Sequence, residues 1–257
     1  MRSNSVVMLC FAVTAITACG KDVTGVSRPP LAGVRLINGL TDGIAVDVRA
    51  VDQIEWSPVA NNLAYRNATV YYPTEAGDRH FRVFPTSTAA SQTSVVLLDV
   101  TITFQADTRV TLLLTGSTAP GATRIVVIAD DLTPPAAGSI GVRAVNASSG
   151  AIDAYLVTAA TDPLPPAPTG ANIPAQGASP YVSRAVGAAA MRVTPAGSAT
   201  VSASATGPTA PAAPAGSPSL PAAGVNTAGT NFSVYYFGAV GATAASAIWL
   251  VDRNPAD

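Results

Sequence analysis

The sequence predicts an all-β protein made of two tandem immunoglobulin-like antiparallel β-sandwich domains. The first observation is a repeat: GVRLINGLTDGIAVDV, residues 33–48, returns about a hundred residues later as GVRAVNASSGAIDAYL, residues 141–156. The second is composition, since 48% of the residues are hydrophobic and only 11% are charged. The third is alternation of apolar and polar residues between Gly, Pro, Asn and Asp turns, about seven short strands per hundred residues, which is typical of such sandwiches.

The repeat extends over most of the chain. Matching residues are Gly33-Val34-Arg35 with Gly141-Val142-Arg143, Asn38 with Asn146, Tyr71 with Tyr181, Gly77 with Gly187, Phe81-Arg82-Val83 with Met191-Arg192-Val193, Gly116 with Gly238, and Asp130 with Asp252. A period this long indicates tandem domains, because each unit can bury a core of its own. We therefore expect a first domain at 33–133 and a second at 139–257, the latter with a Pro/Ala-rich insertion at 207–224. The link LTPPAAG, residues 132–138, is short and predicts limited hinge freedom.

Each element has its own apolar pattern. Strands are predicted at 44–48, 81–84, 94–104, 109–115 and 124–129 in the first copy, and at 152–156, 191–194, 199–203, 232–237 and 247–251 in the second. Two alignments of the opening strands remain open. Without a gap, Asp47 aligns with Tyr155; with a two-residue gap it aligns with Asp153. Trp249 is expected in the core, and the neighbouring Tyr235 and Tyr236 are expected to point one inward and one outward.

The amino terminus predicts a lipoprotein. Arg2 precedes an apolar run at 6–17 that is shorter than the roughly 20 residues needed to cross a bilayer, so residues 1–18 are interpreted as a signal peptide. The run ends in Ile-Thr-Ala-Cys-Gly, which resembles the bacterial lipobox and makes Cys19 the lipidated residue. Residues 19–32 form a flexible tether rich in Gly, Pro and Ser. Gly20 follows Cys19 where an aspartate would favour the inner membrane, so an outer-membrane location in the cell envelope is expected.

Several partner classes are excluded by counting. Cys10 lies in the removed segment, so Cys19 alone remains and no intrachain disulfide is expected. Lys21 is the only lysine and the net charge is -1, which argues against nucleic acid. Phosphate-binding loops are absent from the sequence, so we expect no nucleotide and no cofactor.

The two copies resemble the bacterial domain-of-unknown-function family 4397. The family opens with V-R-V-x-x-A-x-P-D-A-P-x-V-D-V, continues through an aromatic, a glycine turn and a Val-Thr-Pro-like strand, and closes with a strand ending in Asp. The first copy has VRLINGLTDGIAVDV, with Thr41-Asp42-Gly43 in place of Pro-Asp-Ala; the second, VRAVNASSGAIDAYL, has lost that aspartate and the proline. The resemblance implies secreted or surface-anchored all-β domains, often in tandem, and supplies no catalytic residues.

Catalytic chemistry has few candidates. His80 is the only histidine, it precedes an alternating strand, and no G-x-S-x-G elbow accompanies it, so we interpret it as a surface histidine. Paired carboxylates could hydrolyse glycosides, and Glu55, Glu75 and Asp47 are the residues such an enzyme would use. Most acids, however, stand at turns, where they accept backbone hydrogen bonds.

Binding candidates are equally few. Asp130-Asp131 could offer oxygen ligands to calcium, but one acidic pair is too few for the 6–8 oxygens calcium takes, so we expect a strand-end cap at the domain boundary and no metal. Trp56 lies in a loop-like stretch and is the predicted ligand contact, against an alternative of local packing.

The sequence as a whole predicts a non-enzymatic, lipid-anchored cell-envelope protein with a structural, adhesive or ligand-binding role. Its expected partners are the membrane, through the N-terminal lipid, and an envelope polysaccharide or protein. The alternatives are a surface carboxylate-dependent hydrolase and a small-molecule carrier, although no eight-strand calyx pattern is visible for the latter.

Overall fold

The computed structural model describes residues 29–52, 60–89, 91, 94–210 and 223–255, and strands dominate them. In the first copy these are β1 (Leu31–Asn38), β2 (Val46–Ala50), β3 (Tyr72–Glu75), β4 (Gly77–Pro85), β5 (Leu98–Phe104), β6 (Arg109–Thr115) and β7 (Arg124–Asp130). In the second they are β8 (Ser139–Asn146), β9 (Ile152–Val157), β10 (Gly170–Ile173), β11 (Val182–Ala185), β12 (Ala190–Pro195), β13 (Ala203–Thr206), β14 (Asn231–Phe237) and β15 (Ser246–Arg253). The all-β fold class is confirmed.

Each copy consists of two sheets around an apolar core. The first copy has the sheet β3-β1-β6-β7 and the sheet β2-β4-β5; the second has β11-β8-β14-β15 and β10-β9-β12-β13. Side chains such as Leu36, Phe81 and Leu112 fill the first core, and Val142, Met191 and Phe232 fill the second. The sheets are not purely antiparallel, because β1 pairs with β6, and β8 with β14, in parallel.

Strand register settles the alignment of the opening strands. Val48 pairs with Val83 in the first copy, and Ala154 pairs with Val193 in the second. Since Val83 and Val193 are matching residues of the repeat, Asp47 is equivalent to Asp153, and the gapped alignment is the correct one.

Several strands were not predicted. These are the four-residue β3, β10 and β11 and the eight-residue β1 and β8, and the stretch predicted at 199–203 is wrong, because the strand there is Ala203–Thr206. Proline in β3 and the polar residues of β11 give these edge strands no clear apolar pattern, and β1 and β8 are buried almost continuously and do not alternate. The longer β6 begins and ends at the predicted residues.

The two copies pack against each other through the outer faces of their large sheets. Ile37 and Leu113 of the first copy join Val145, Tyr235 and Phe237 of the second in one buried apolar cluster. Tyr236 points into the core of the second copy and Tyr235 points out of it, as expected. The outward ring of Tyr235 is nevertheless fully buried, because it packs against the first copy. Any hinge motion at the link would have to separate this shared face.

Candidate functional site

The residues predicted to carry function fall largely outside the described part of the chain. The lipidation residue Cys19, the ligand-contact residue Trp56 and the carboxylate Glu55 all lie there, as does most of the Pro/Ala-rich insertion at 207–224. Among the residues that the structure describes, no helix is long and apolar enough to span a membrane.

The most built-up polar site lies at the contact between the copies, where two ion pairs cross. The Arg35 guanidinium of the first copy binds the Asp252 carboxylate of the second, with 2.7 Å between Nη2 and Oδ1. The Arg143 guanidinium of the second copy binds Asp130 of the first. The arginines also donate to main chain across the contact, Arg35 Nη1 to the Val251 carbonyl at 3.0 Å and Arg143 Nη1 to the Ala129 carbonyl at 2.8 Å. Each copy thus contributes one arginine and one aspartate, and each ion pair joins the two copies.

Each carboxylate is held in place by its own copy. Thr111 and Tyr71 donate hydroxyl hydrogen bonds to Asp130 Oδ2 at 2.7 and 2.6 Å. In the second copy, Ser233 and Tyr181 donate to Asp252 Oδ2 at 2.6 and 2.7 Å. The arrangement therefore repeats with near two-fold symmetry.

The arginines lie over tyrosine rings of their own copies. The Arg35 guanidinium is 4.5 Å from the centre of the Tyr71 ring, and that of Arg143 is 4.6 Å from the centre of the Tyr181 ring. A cation over a ring face contributes about 2 kcal/mol when it is desolvated. We call the eight residues Arg35, Tyr71, Thr111, Asp130, Arg143, Tyr181, Ser233 and Asp252 the ionic core.

Burial governs the electrostatics of the ionic core. The side chains of Asp130 and Asp252 have no exposed surface. Burial, followed by the neighbouring charge of Asp252, raises the pKa of Asp130. Burial also raises the pKa of Tyr71 and of Tyr181, so both phenols remain protonated donors. Carboxylates that are enclosed and already hydrogen-bonded suit a structural lock better than acid–base catalysis.

The strand-end cap predicted for Asp130-Asp131 holds only for Asp131, whose carboxylate accepts the Thr133 backbone N–H at 2.8 Å. Asp130 instead belongs to the ionic core. A signal was present in the sequence: a chain with few charges keeps an arginine, a tyrosine and an aspartate at matching places in both copies. Pairing between copies could not be derived from it, because the sequence does not show which faces meet.

Three shallow clefts lie beside the ionic core, two in the first copy and one that also includes Leu250, Val251 and Asn254 of the second, and Arg109 lines all three. The largest, about 460 Å³, lies between the end of β5 and the end of β7. The others, about 400 and 380 Å³, border Tyr71. Arg109 is itself anchored, since Nη1 donates to the Asp252 carbonyl at 2.9 Å and the guanidinium is 5.2 Å from the Tyr71 ring centre. These clefts are the candidate binding surface.

The remaining candidate catalytic residues do not converge on a cleft. His80 contacts Asp99 on the exposed face of β4 and β5. Glu75 pairs with Arg79 at 2.8 Å. Asp47 accepts the Asn62 backbone N–H at 2.7 Å, as Asp153 accepts that of Asn172 at 2.7 Å, so both aspartates pin a turn. No group of three His, Cys, Asp or Glu side chains suited to a metal occurs in the described ranges.

These features define a class: an all-β sandwich protein whose two homologous halves share a buried ionic contact. Residues 32–155 match the family model described as "Domain of unknown function (DUF4397)". This match covers the region whose opening motif resembles that family. The matched region contains the whole first copy and runs on through β8 and most of β9. No curated protein matches the chain.

Proposed function

We propose that this is a lipid-anchored protein of the cell envelope, with a non-catalytic structural, adhesive or ligand-binding role. The ionic core is the observation that carries the role. In that core the buried charges pair between the copies, which would hold the copies together, and the carboxylates have no exposed surface for a substrate. Two copies held together on a tether suit display at a surface.

The envelope address is proposed from the amino terminus. The apolar run at 6–17, followed by the lipobox-like residues, would direct the attachment of acyl chains to Cys19. Each buried methylene of these chains adds about 0.8 kcal/mol to membrane binding. Several chains on one cysteine would hold the protein at the membrane. Gly20 favours the outer membrane.

The anchor is tested with Cys19→Ala. The variant is expected to move from the detergent-extracted membrane fraction to the soluble fraction. The control is Cys10→Ala, which changes the other cysteine of the chain, inside the predicted signal peptide, and should leave the protein in the membrane fraction. Membrane attachment that persists in Cys19→Ala would reject the anchor.

The binding role is tested with the mature chain carrying Cys19→Ala. An array of envelope glycans and envelope proteins should show saturable binding to one of them without turnover. Hydrolysis of a glycan or peptide that is abolished by Glu55→Gln, Glu75→Gln or Asp47→Asn would reject the non-catalytic role in favour of a carboxylate hydrolase.

A further inference from the structure

The two copies fill the same part of their sandwiches with side chains of very different size. In the second copy, the Phe232 and Trp249 rings meet edge to face, with centroids 5.6 Å apart. The Trp249 indole N–H also donates to the Ala205 carbonyl of β13 at 3.0 Å, which ties β15 to the opposite sheet. The second copy is thus closed along this side by its own tryptophan.

The first copy has smaller residues at the matching places. The register of β6 and β7 puts Val110 where the second copy has Phe232, Val127 where it has Trp249, and Ala129 where it has Val251. Val127 shares the inner face of β7 with Ile125, which packs on the core, yet Val127 is 48% exposed. An inward-facing valine with this exposure shows that the side of the sandwich is open.

The largest of the three clefts described above lies next to this open side, at Ala129, two residues beyond Val127 on the same face of β7. Phe104, Val110 and Ala129 supply its apolar surface. Phe104 is held there by an edge-to-face contact with Phe81 at 5.9 Å between centroids. The cleft, about 460 Å³, falls within the range of about 300–1,000 Å³ that ligand sites occupy.

The rim of the cleft has the chemistry of a peptide site. Thr103 and Gln105 offer hydrogen-bonding side chains, and Asp107 and Asp131 place two exposed carboxylates beside them. Arg109 also lines the cleft, but its guanidinium is held by the second copy, where it donates to the Asp252 carbonyl at 2.9 Å. The strands that flank the cleft, β5 and β7, are each the last strand of their sheet in the described part of the chain. An extended segment can add to such an edge by main-chain hydrogen bonds while alternate side chains enter the groove.

We propose that this open side of the first copy binds an extended peptide segment of another envelope protein through an aromatic side chain. The ring enters between β5 and β7 and contacts Phe104, much as Trp249 of the second copy closes its own sandwich. A neighbouring lysine or arginine of the peptide faces Asp107 and Asp131. This inference rests on the binding role proposed above and supplies its partner class, but it does not depend on the lipid.

The test uses the mature chain with Cys19→Ala and the probe acetyl-Thr-Trp-Lys-Val-amide, followed by NMR shifts of backbone amides. Saturable shifts are expected in β5 and β7 of the first copy and not in β13 and β15. Replacing the probe's tryptophan by alanine should weaken binding at least tenfold, and replacing its lysine by glutamate should weaken it further.

Val127→Trp introduces the second copy's own residue; its ring should lie against Val110, which lines the cleft, as Trp249 lies against Phe232, and should weaken probe binding at least tenfold. Val186→Trp is the matched control, because Val186 is an exposed valine, 40% accessible, in the second copy; it should bind like the parent. Ala129→Val is a smaller change in the same direction and covers the case in which Val127→Trp does not fold, as judged by its urea transition.

Three results would overturn the inference. The first is that the probe causes no saturable shifts at β5 and β7. The second is that the folded Val127→Trp or Ala129→Val variant binds the probe as tightly as the parent, and the third is that a glycan shifts those amides and the peptide does not. Because Cys19 is already replaced, a failure here leaves the membrane anchor standing. Conversely, loss of the anchor leaves the peptide result intact.

Discussion

Neutralising Asp252 should destabilise the protein far more than neutralising an exposed acid in an ion pair of the same length. Asp252→Asn keeps the shape of the side chain but leaves the Arg35 guanidinium, whose side chain is 3% exposed, without its nearest counter-charge. Removing one partner of a buried pair costs about 3–5 kcal/mol. That is a large share of the roughly 5–15 kcal/mol by which proteins of this kind are stable.

The chain supplies its own control. Glu75 and Arg79 are 2.8 Å apart, almost the same as the 2.7 Å between Arg35 and Asp252, but the Glu75 side chain is 47% exposed. Exposed pairs contribute about 0–1 kcal/mol, so Glu75→Gln should change the free energy of unfolding by no more than that. The comparison of the two variants isolates the effect of burial, because the nitrogen–oxygen distance is nearly the same in both ion pairs.

The assay is urea unfolding of the mature Cys19→Ala chain, with tryptophan fluorescence and far-UV dichroism compared to check that the transition is two-state. With a slope of about 3 kcal/mol/M, a loss of 3–5 kcal/mol lowers the midpoint by about 1–2 M. The double variant Arg35→Met/Asp252→Leu should recover part of the loss, since it leaves no buried charge unpaired. An Asp252→Asn effect as small as that of Glu75→Gln would refute the claim that the ionic core locks the copies together.

Three further predictions concern single residues. Burial raises the pKa of Tyr235 from 10.0 to about 12, and a phenol that ionises later in the folded than in the unfolded chain loses stability as pH rises. Tyr235 should therefore contribute up to about 3 kcal/mol to a decline in the free energy of unfolding above pH 10. In urea titrations Tyr235→Phe should make that decline shallower without abolishing it, because the pKa values of Tyr71 and Tyr181 are raised as well. Gly116→Ala should cost about 2 kcal/mol or more, because φ is +88° and a Cβ would collide with a backbone carbonyl, whereas Gly238→Ala, which meets only the Ser148 Cβ at 3.2 Å, should cost less than half as much by thermal unfolding. Trp249→Phe should cost about 1 kcal/mol, because the ring contact survives and the 3.0 Å hydrogen bond to Ala205 is lost; urea midpoints equal to that of the parent would contradict this.

The repeat and the apolar patterning were enough to predict the β fold and most of the longer strands, although not β1 and β8. β6 could be placed to the residue because it is a continuous run of apolar residues and threonines. The four-residue edge strands could not, since Pro73 and short polar pairings carry no period. The position of β6 follows from its local sequence pattern, whereas the position of the short edge strands depends on tertiary contacts.

The ionic core could be predicted only in its parts. Arg35, Asp130 and Tyr71 were visible as residues with partners at matching places in the second copy, but a sequence gives no distance between residues of different sheets. Considering the first copy alone, the sequence predicted that Asp130 caps the end of a strand. Its role depends on Arg143, 13 residues away in sequence and on the other copy, and therefore on which faces meet.

The first strand also determines how the protein would meet a mechanical load. If the chain is anchored through Cys19 as proposed, a pull from the membrane reaches the described fold at Leu31, where β1 begins. β1 lies between two neighbours, with four of its residues in register with β3 and six with β6. Tension along β1 would shear those pairings together instead of unzipping them one by one, and the proposed anchor would therefore load the fold in a direction that many hydrogen bonds resist at once.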